Sequence, residues 1–230
     1  MNLAESMKHV LITKSQNIFT HFWKEDLKVL LKETAEDVWS RAQSSGNVFK
    51  NAKEAGFKQT FKEFSESTVE TFKILKIVPR RVRDGFKYFK EDFIAELDSL
   101  EDNKEKAIFC LKVIGVLSSS LVKSFYGMKK SQADFSVKGL KVTNAFTRFL
   151  IAEIIFKISQ VLVLRVLNEV EKELTEDEDK KNVMFFRSVL ADSKKLEEHK
   201  DLYPEDVKPG DKALELVENL KKYISTGVRT

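Results

Sequence analysis

Two long apolar segments, residues 107–126 and 146–167, constrain the fold of this chain more than any other feature of its sequence. Each is long enough to span a bilayer as a helix, and each carries apolar residues around most of its circumference. A helix of this kind lies in lipid, or lies in the middle of a helical bundle, or moves between the two. The charges inside each segment and the pattern of the remaining chain bear on this choice.

The charges within the second segment favour a bundle. Arg148, Glu153, Lys157 and Arg165 are spread along its length, so they cannot all reach a membrane surface. Each charge costs about 2.5 to 3.5 kcal/mol at the centre of a bilayer. Glu153 and Lys157 are spaced at i and i+4, in the order that favours an ion pair on one helix face. We therefore expect a nearly buried bundle helix whose charges form a narrow polar strip that reaches water.

The first segment leaves membrane insertion open. Lys112 is the only charge well inside it, and Lys123 lies near its end. Gly115 and Ser119 have the spacing that lets helix backbones approach closely in lipid, although soluble helix pairs use the same spacing. In physical character the two segments resemble the apolar hairpin that some helical bundles shelter and release into membranes. The predicted apolar interior consists of Phe109, Ile114, Leu117, Leu121, Phe149, Ile155, Phe156 and Leu162.

The rest of the chain repeats apolar residues at helical spacing and shows no alternating strand pattern. Its 3 prolines and 8 glycines are too few for the turns of a β-sandwich of this length. The pattern predicts one all-α domain over residues 1–230. We expect a single helical bundle of about seven or eight helices, with two very apolar central helices.

Helix boundaries are predicted where the apolar period is interrupted. The stripe slips near Trp23, where the helix either breaks or turns a different face inward. The sequence SSGN at 44–47 is a stop signal, and Asn47 can cap the helix that follows. Pro79 fits the first turn of a new helix, because the N–H that it lacks would have no partner there.

Further boundaries follow from capping patterns and polar runs. Capping-box spacing is found at Asp102 with Glu105 and at Thr175 with Glu178. A lysine-rich polar connector is expected over 127–145, between the two apolar segments. The last loop is marked by Pro204, Pro209 and Gly210.

Positive charge is concentrated in residues 73–90, although the whole chain carries only +4. Asp84 is the one acid in this basic segment, and Phe86, Tyr88 and Phe89 lie alongside. Its cations are Lys73, Lys76, Arg80, Arg81, Arg83, Lys87 and Lys90. A basic helix interleaved with aromatic residues suits anionic lipid headgroups, where each cation adds about 1 kcal/mol.

The compensating acids lie in residues 169–179, where Lys172 is the only cation. Two other interpretations stay open for the charged segments: both are solvated faces, or they pair with each other in the fold. Nucleic acid is a disfavoured partner for the basic segment, because no recognition motif appears and the total charge is low for a backbone binder.

No catalytic or metal-binding pattern appears in the sequence. His9, His21 and His199 lack metal-ligand spacing, and the common nucleotide-binding glycine motifs are absent. Cys110 lies among apolar residues, where burial makes a thiol a poor nucleophile. This single cysteine excludes an internal disulfide, and the N-terminal residues do not resemble a secretory signal. We predict no catalytic residue, no metal and no cofactor.

These patterns predict a non-enzymatic, cytoplasmic protein that associates with membrane surfaces or handles lipid through a sheltered apolar interior. Its location would be peripheral to a membrane or inserted in one, and its partner an anionic membrane or lipid. The alternative is a helical scaffold that buries its apolar faces against a protein partner or against copies of itself. The 18 phenylalanines suit either case, because large apolar faces contact lipid and protein equally well.

Overall fold

The computed structural model describes residues 1–44, 57–138, 143–199, 202 and 211–229. The helices of these residues are α1 Leu3–His9, α2 Ser15–His21, α3 Leu27–Ser44, α4 Phe57–Ser99, α5 Asn103–Lys138, α6 Thr143–Glu173, α7 Asp177–Leu190, α8 Ser193–Glu198 and α9 Asp211–Thr226. No strand occurs among the residues that the structure describes. The predicted all-α helical bundle is confirmed.

Two π-helical segments, Val10–Lys14 and Phe22–Asp26, connect the first three α-helices. In the first segment the Ser15 N–H donates to the carbonyl of Val10, five residues back, and the Ser15 hydroxyl donates to another carbonyl of the same segment at 2.5 Å. A wider turn holds one extra residue, so the stretch that follows presents a different face. The second segment therefore accounts for the slip near Trp23: the helix continues and turns.

Helix α4 runs through Pro79, so the prediction that a new helix begins there is wrong. A proline inside a helix removes one backbone hydrogen bond and costs about 3 kcal/mol. Val82 and Phe89, beyond this point, are buried on the same side of the helix as Val78, which precedes the proline. The apolar stripe continues from Val78 at helical spacing, and burial of this stripe outweighs the local cost.

The expected polar connector over 127–145 is also wrong, because α5 continues to Lys138. Met128 and Phe135 are buried within this stretch and continue the helical spacing that begins at the buried Phe125. Lysine is a good helix former, so the intervening lysines do not end the helix. The connector between the two apolar helices is therefore shorter than the composition suggested.

Of the two predicted capping boxes, the residue at the start of the first caps its helix and the residue at the start of the second does not. Asp102 precedes α5, and its Oδ1 accepts a hydrogen bond from the Lys104 N–H at 3.2 Å. The box at Thr175 is wrong: α7 starts one residue later, after Glu176, and the Thr175 N–H donates to the carbonyl of Met1 at 3.2 Å. Predictions for Asn47, Pro204, Pro209 and Gly210 lie outside the described residues.

Backbone proximity divides the chain into two compact units. Unit 1 comprises Met1–Phe22, Val78–Lys123 and Gln160–Thr230, and unit 2 comprises Trp23–Ile77 and Ser124–Ser159. Helices α4, α5 and α6 each contribute residues to both units. A division of this kind does not say whether either unit folds alone, so the single domain stays a prediction.

Stacked phenylalanines form the centre of unit 1. The rings of Phe19 and Phe86 lie 4.5 Å apart, and those of Phe93 and Phe109 lie 5.6 Å apart. Phe89 connects the two pairs, with centroids 5.9 Å from Phe86 and 6.1 Å from Phe93. These separations are typical of favourable aromatic contacts. The series ties α2, α4 and α5 together.

Unit 2 has its own aromatic contacts. Phe125 lies 5.5 Å from Phe156, and Phe135 lies 6.2 Å from Phe149, measured between ring centroids. Both pairs join α5 to α6, and all four rings are buried.

Six of the eight predicted interior residues are buried, and Leu117 and Ile155 are half-buried. Among the described residues, one helix, over Asn103–Phe135, is long and apolar enough to cross a membrane, and 61% of its most apolar window is buried. Buried core helices of soluble proteins pass the same test. Helix α6, the second apolar segment, does not pass it.

Candidate anionic-surface site

The basic segment forms part of one continuous helix, and this fixes which of its cations share a face. Arg80, Arg83, Lys87 and Lys90 are separated by three, four and three positions, the spacing of a single helical face. We call these four residues the basic stripe. Lys73 and Lys76 lie earlier in α4, but their side chains are outside the described part of the chain.

The charged ends of the basic stripe lie in solvent. The side chains of Arg80, Arg83 and Lys87 are 81%, 61% and 68% exposed, and Lys90 is half-buried. Exposed charges of this kind are cheap to bring against a second charged surface, because little desolvation is needed. The stripe is therefore open to a large partner.

Acids of α4 pair with three cations of the stripe, and Arg83 donates a hydrogen bond from its Nε to Asp84 at 3.0 Å. Asp84 lies 3.7 Å from Arg80 and 3.0 Å from Arg83, and Glu91 lies 3.9 Å from Lys87. Exposed ion pairs contribute about 0.2 to 1 kcal/mol each. These contacts reduce the positive charge of the surface but hold its cations weakly.

Arg81 lies on a different face and has a structural role. Its Nη1 donates a hydrogen bond to the carbonyl of Ser225 at 2.7 Å, in the last turn of α9. A cation beside the final carbonyls of a helix stabilises them, because those carbonyls lack helical partners and carry negative partial charge. The sequence groups Arg81 with the other cations, and the structure separates it from them.

The aromatic neighbours of the cations are not on the basic stripe either. Phe89 is buried, and the half-buried Phe86 ring packs at a tilt against Phe19, so both rings contact other parts of unit 1. Tyr88 faces α9, where its ring meets Tyr223 edge-on at 5.0 Å. Burial, with the Tyr88 ring as a second cause, raises the pKa of Tyr223. The three aromatic residues thus interleave with the cations in sequence, but none of their rings is exposed beside the basic stripe.

Close approach between α4 and α9 depends on Gly85. A Cβ at this position would lie 3.0 Å from Cδ1 of Tyr223 and 3.3 Å from Cδ1 of Leu220. A cavity of about 10 Å³ lies along this contact, and it would hold at most one water. Helix α9 therefore packs tightly against one face of the segment that carries the basic stripe.

The acidic segment 169–179 is used differently, since its carboxylates bind other parts of unit 1. Lys14 pairs with Glu169 at 3.1 Å and with Glu173 at 2.5 Å. The ammonium of Lys172, and then that of Lys14, lower the pKa of Glu169, whereas Lys14 is the main cause of the lowered pKa of Glu173. The same hydrogen bonds, first from Glu173 and then from Glu169, raise the pKa of Lys14.

Two further acids of this segment also have partners. Glu171 lies 3.0 Å from Arg187, and Asp179 accepts a hydrogen bond from the Leu3 N–H at 2.8 Å in a buried position. Within the described residues, no recorded ion pair joins the basic stripe to the acidic segment. Among the described side chains, the two segments therefore do not pair with each other.

Unit 2 contains a buried charge. Glu153 and Lys157 pair at 3.2 Å, as their spacing predicts. Glu153 is only 1% exposed, however, so the expectation that these charges form a strip open to water is wrong for the carboxylate. Lys157 is partly exposed and also lies 3.9 Å from Asp37. The lysine therefore connects a buried acid of α6 with an acid of α3.

Other reactive groups are few in the described part of the chain. Cys110 is fully buried, and burial raises the pKa of its thiol, with the charge of Asp179 as a smaller cause. No three histidine, cysteine or carboxylate side chains come together as metal ligands among the described residues.

The basic stripe can act by long-range attraction, with four cations along about three turns of one helix. A row of this kind suits an extended anionic surface better than a small anion, which would need donors that converge on one point. No protein-family model, curated protein or solved structure matches this chain.

Proposed function

We propose that this chain is a non-enzymatic protein that associates peripherally with anionic membrane surfaces through the basic stripe of α4. The observation that carries this proposal is the exposure of Arg80, Arg83 and Lys87, whose side chains remain 61–81% accessible although acids lie nearby. Cations that fold stability required would be buried or tightly paired. These are neither.

The physics of the stripe sets the expected strength of binding. Each cation near an anionic bilayer contributes about 1 kcal/mol, so a few of them give weak and reversible association. The attraction is screened over about 8 Å at physiological ionic strength, which makes it sensitive to salt. A protein of this kind would exchange between membrane and solution rather than remain anchored.

Surface association is favoured over lipid handling by the packing of the apolar helices. The phenylalanines of α5 contact other rings in each unit, Phe109 against Phe93 and Phe125 against Phe156. An acyl chain would have to displace these contacts, and core contacts of this size are worth several kcal/mol. The apolar interior therefore acts as a core under this proposal.

Co-sedimentation with vesicles tests the proposal. The full chain should pellet with vesicles that contain phosphatidylserine at low salt, and high salt should release it. Vesicles of phosphatidylcholine alone should leave it in the supernatant. Equal binding to both kinds of vesicle, or none to either, would overturn the proposal.

Assembly with protein is a second candidate, favoured by one observation. Met184 and Phe185 are adjacent on α7 and are 45% and 46% exposed. Large apolar side chains that lie side by side in solvent often mark a protein interface. A homo-oligomer that uses this face should elute from a sizing column above monomer mass, and Phe185→Ser should return it to the monomer position.

A further inference from the structure

The residues after α9 return toward α4 in a defined turn. Gly227 has φ of +74°, a left-handed conformation that favours glycine, and its N–H donates to the carbonyl of Tyr223 at 2.6 Å. A Cβ here would also lie 3.1 Å from Nε of Arg81. We call residues 225–229 the C-terminal hook. This turn reverses the chain, so that Arg229 comes back over the helix that carries the basic stripe.

Arg229 makes three contacts with α4. Its Nη2 donates to Asp92 at 2.8 Å, its Nη1 lies 3.7 Å from Glu91, and its guanidinium lies 4.5 Å above the ring of Tyr88. An ion pair combined with a cation–π contact holds a guanidinium in one place better than either alone. Arg229 is therefore held at the edge of the stripe although it is 137 residues away from Asp92 in sequence.

These contacts pair Arg229 with two acids of α4 that lie close to the basic stripe. Glu91 lies 3.9 Å from Lys87, so it otherwise opposes a cation of the stripe. The four cations of the basic stripe and the three acids between residues 80 and 92 leave a formal charge of +1, and Arg229 raises this local charge to +2. Arg229 thus supplies half of the net charge that an anionic surface would meet.

We infer that the anionic-surface site has two parts, the basic stripe of α4 and the C-terminal hook, and that Arg229 completes it by offsetting part of the negative charge of Glu91 and Asp92. The occupant is the headgroup layer of an anionic bilayer. This inference rests on the proposed function, and it adds a residue that neither helical spacing nor composition connects with the stripe.

The test compares single charge changes in the full chain. Vesicles of mixed phosphatidylserine and phosphatidylcholine are the probe, at low salt. Arg229→Gln should weaken binding about fivefold and Arg229→Glu about thirtyfold, whereas Arg229→Lys should stay within about twofold of wild type. Lys181→Glu is the matched control: it makes the same change in total charge at an exposed position of α7 and should change binding less than twofold.

A second measurement checks the hook without lipid. In solution NMR the δ-methylene protons of Arg229 should be shifted upfield by the ring of Tyr88, and Tyr88→Leu should remove the shift. If wild type binds vesicles and Arg229→Glu weakens binding no more than Lys181→Glu does, the inference is overturned and the proposed function stands. An absent upfield shift in wild type also overturns it. If wild type does not bind at all, the proposed function itself fails, whatever the NMR result.

Discussion

The basic stripe and the acidic segment differ in the sign of their charge and also in what their side chains contact. Asp179 is buried on a backbone N–H of α1, and Glu169 and Glu173 hold Lys14 from the N-terminal part of the chain. Arg80, Arg83 and Lys87 extend into solvent and pair with acids of their own helix. A run of like charges in the sequence therefore does not by itself predict what those side chains contact. The partners and the burial of each side chain decide whether a charge stabilises the fold or faces a ligand.

The largest effect on stability is expected at a buried charge, the Glu153 carboxylate of α6, which contrasts with the exposed cations of the basic stripe. Lys157→Leu removes the ammonium group that lies 3.2 Å from the buried Glu153 carboxylate. Removing one member of a buried pair costs about 3 to 5 kcal/mol, so the free energy of unfolding measured with urea should fall by that amount.

The double variant Glu153→Leu, Lys157→Leu is the control for this effect. It removes both charges, and we expect it to be more stable than Lys157→Leu alone. A single variant as stable as wild type would mean that water reaches Glu153 freely, and the burial of charge in α6 would be contradicted.

Asp179 should give the next largest effect. Asp179→Ala removes the buried acceptor of the Leu3 N–H, and an unsatisfied buried donor costs about 1 to 3 kcal/mol. Its exposed neighbour Glu178 lies in the same first turn of α7, so Glu178→Ala controls for the helix dipole. Urea unfolding should distinguish the two variants, and equal stabilities would show that Asp179 is only another surface charge.

The pH dependence of stability tests the Lys14 contacts. The lowered pKa values of Glu169 and Glu173 give stability that is present above about pH 4.3, the unfolded carboxylate value, and lost as the pH falls through the folded pKa values. The raised pKa of Lys14 gives stability that is present below about pH 10.4 and lost as the pH rises through its folded pKa.

Lys14→Gln should flatten the stability curve at both ends. Its acid limb should keep part of its slope, because Lys172 also lowers the pKa of Glu169. Thermal unfolding across the pH range provides the measurement. Curves that superimpose for wild type and Lys14→Gln would exclude this network as a source of stability.

The basic stripe should give the smallest change in stability. Arg83→Gln and Lys87→Gln remove exposed charges, and substitutions of this kind usually stay within about 0.5 kcal/mol of wild type. Arg81→Gln provides the contrast, because it removes the hydrogen bond to Ser225 that caps α9. A larger loss for Arg83→Gln than for Arg81→Gln, measured by urea unfolding, would reverse the roles assigned to these two arginines.

Much of the fold could be predicted from helical spacing alone, because that spacing depends on neighbours in sequence. The slip near Trp23 marked the π-helical segment, and the apolar segments gave α5 and α6. Pro79 was misjudged because its local cost is outweighed by buried residues further along α4. Local rules do not include that compensation.

The site was harder to predict, since it depends on contacts between distant residues. From the sequence, Arg81 is grouped with Arg80, Arg83 and Lys87, because a helix boundary is predicted at Pro79 and the cations are not assigned to separate faces. Its partner Ser225 lies 144 residues away. The i, i+4 spacing of Glu153 and Lys157 predicted their pairing, but nothing in the sequence predicted the burial of Glu153, which depends on packing around α6.

The measurement that tests the account most directly is vesicle binding by a triple variant that stays folded. Arg80→Glu, Arg83→Glu, Lys87→Glu reverses three cations of the stripe, and Lys180→Glu, Lys181→Glu, Lys194→Glu makes the same change in total charge at exposed positions elsewhere in unit 1. We expect both variants to keep the wild-type helical circular dichroism. The stripe variant should no longer sediment with phosphatidylserine vesicles, whereas the control should still do so. Equal binding by the two variants would contradict the claim that the basic stripe is a binding surface.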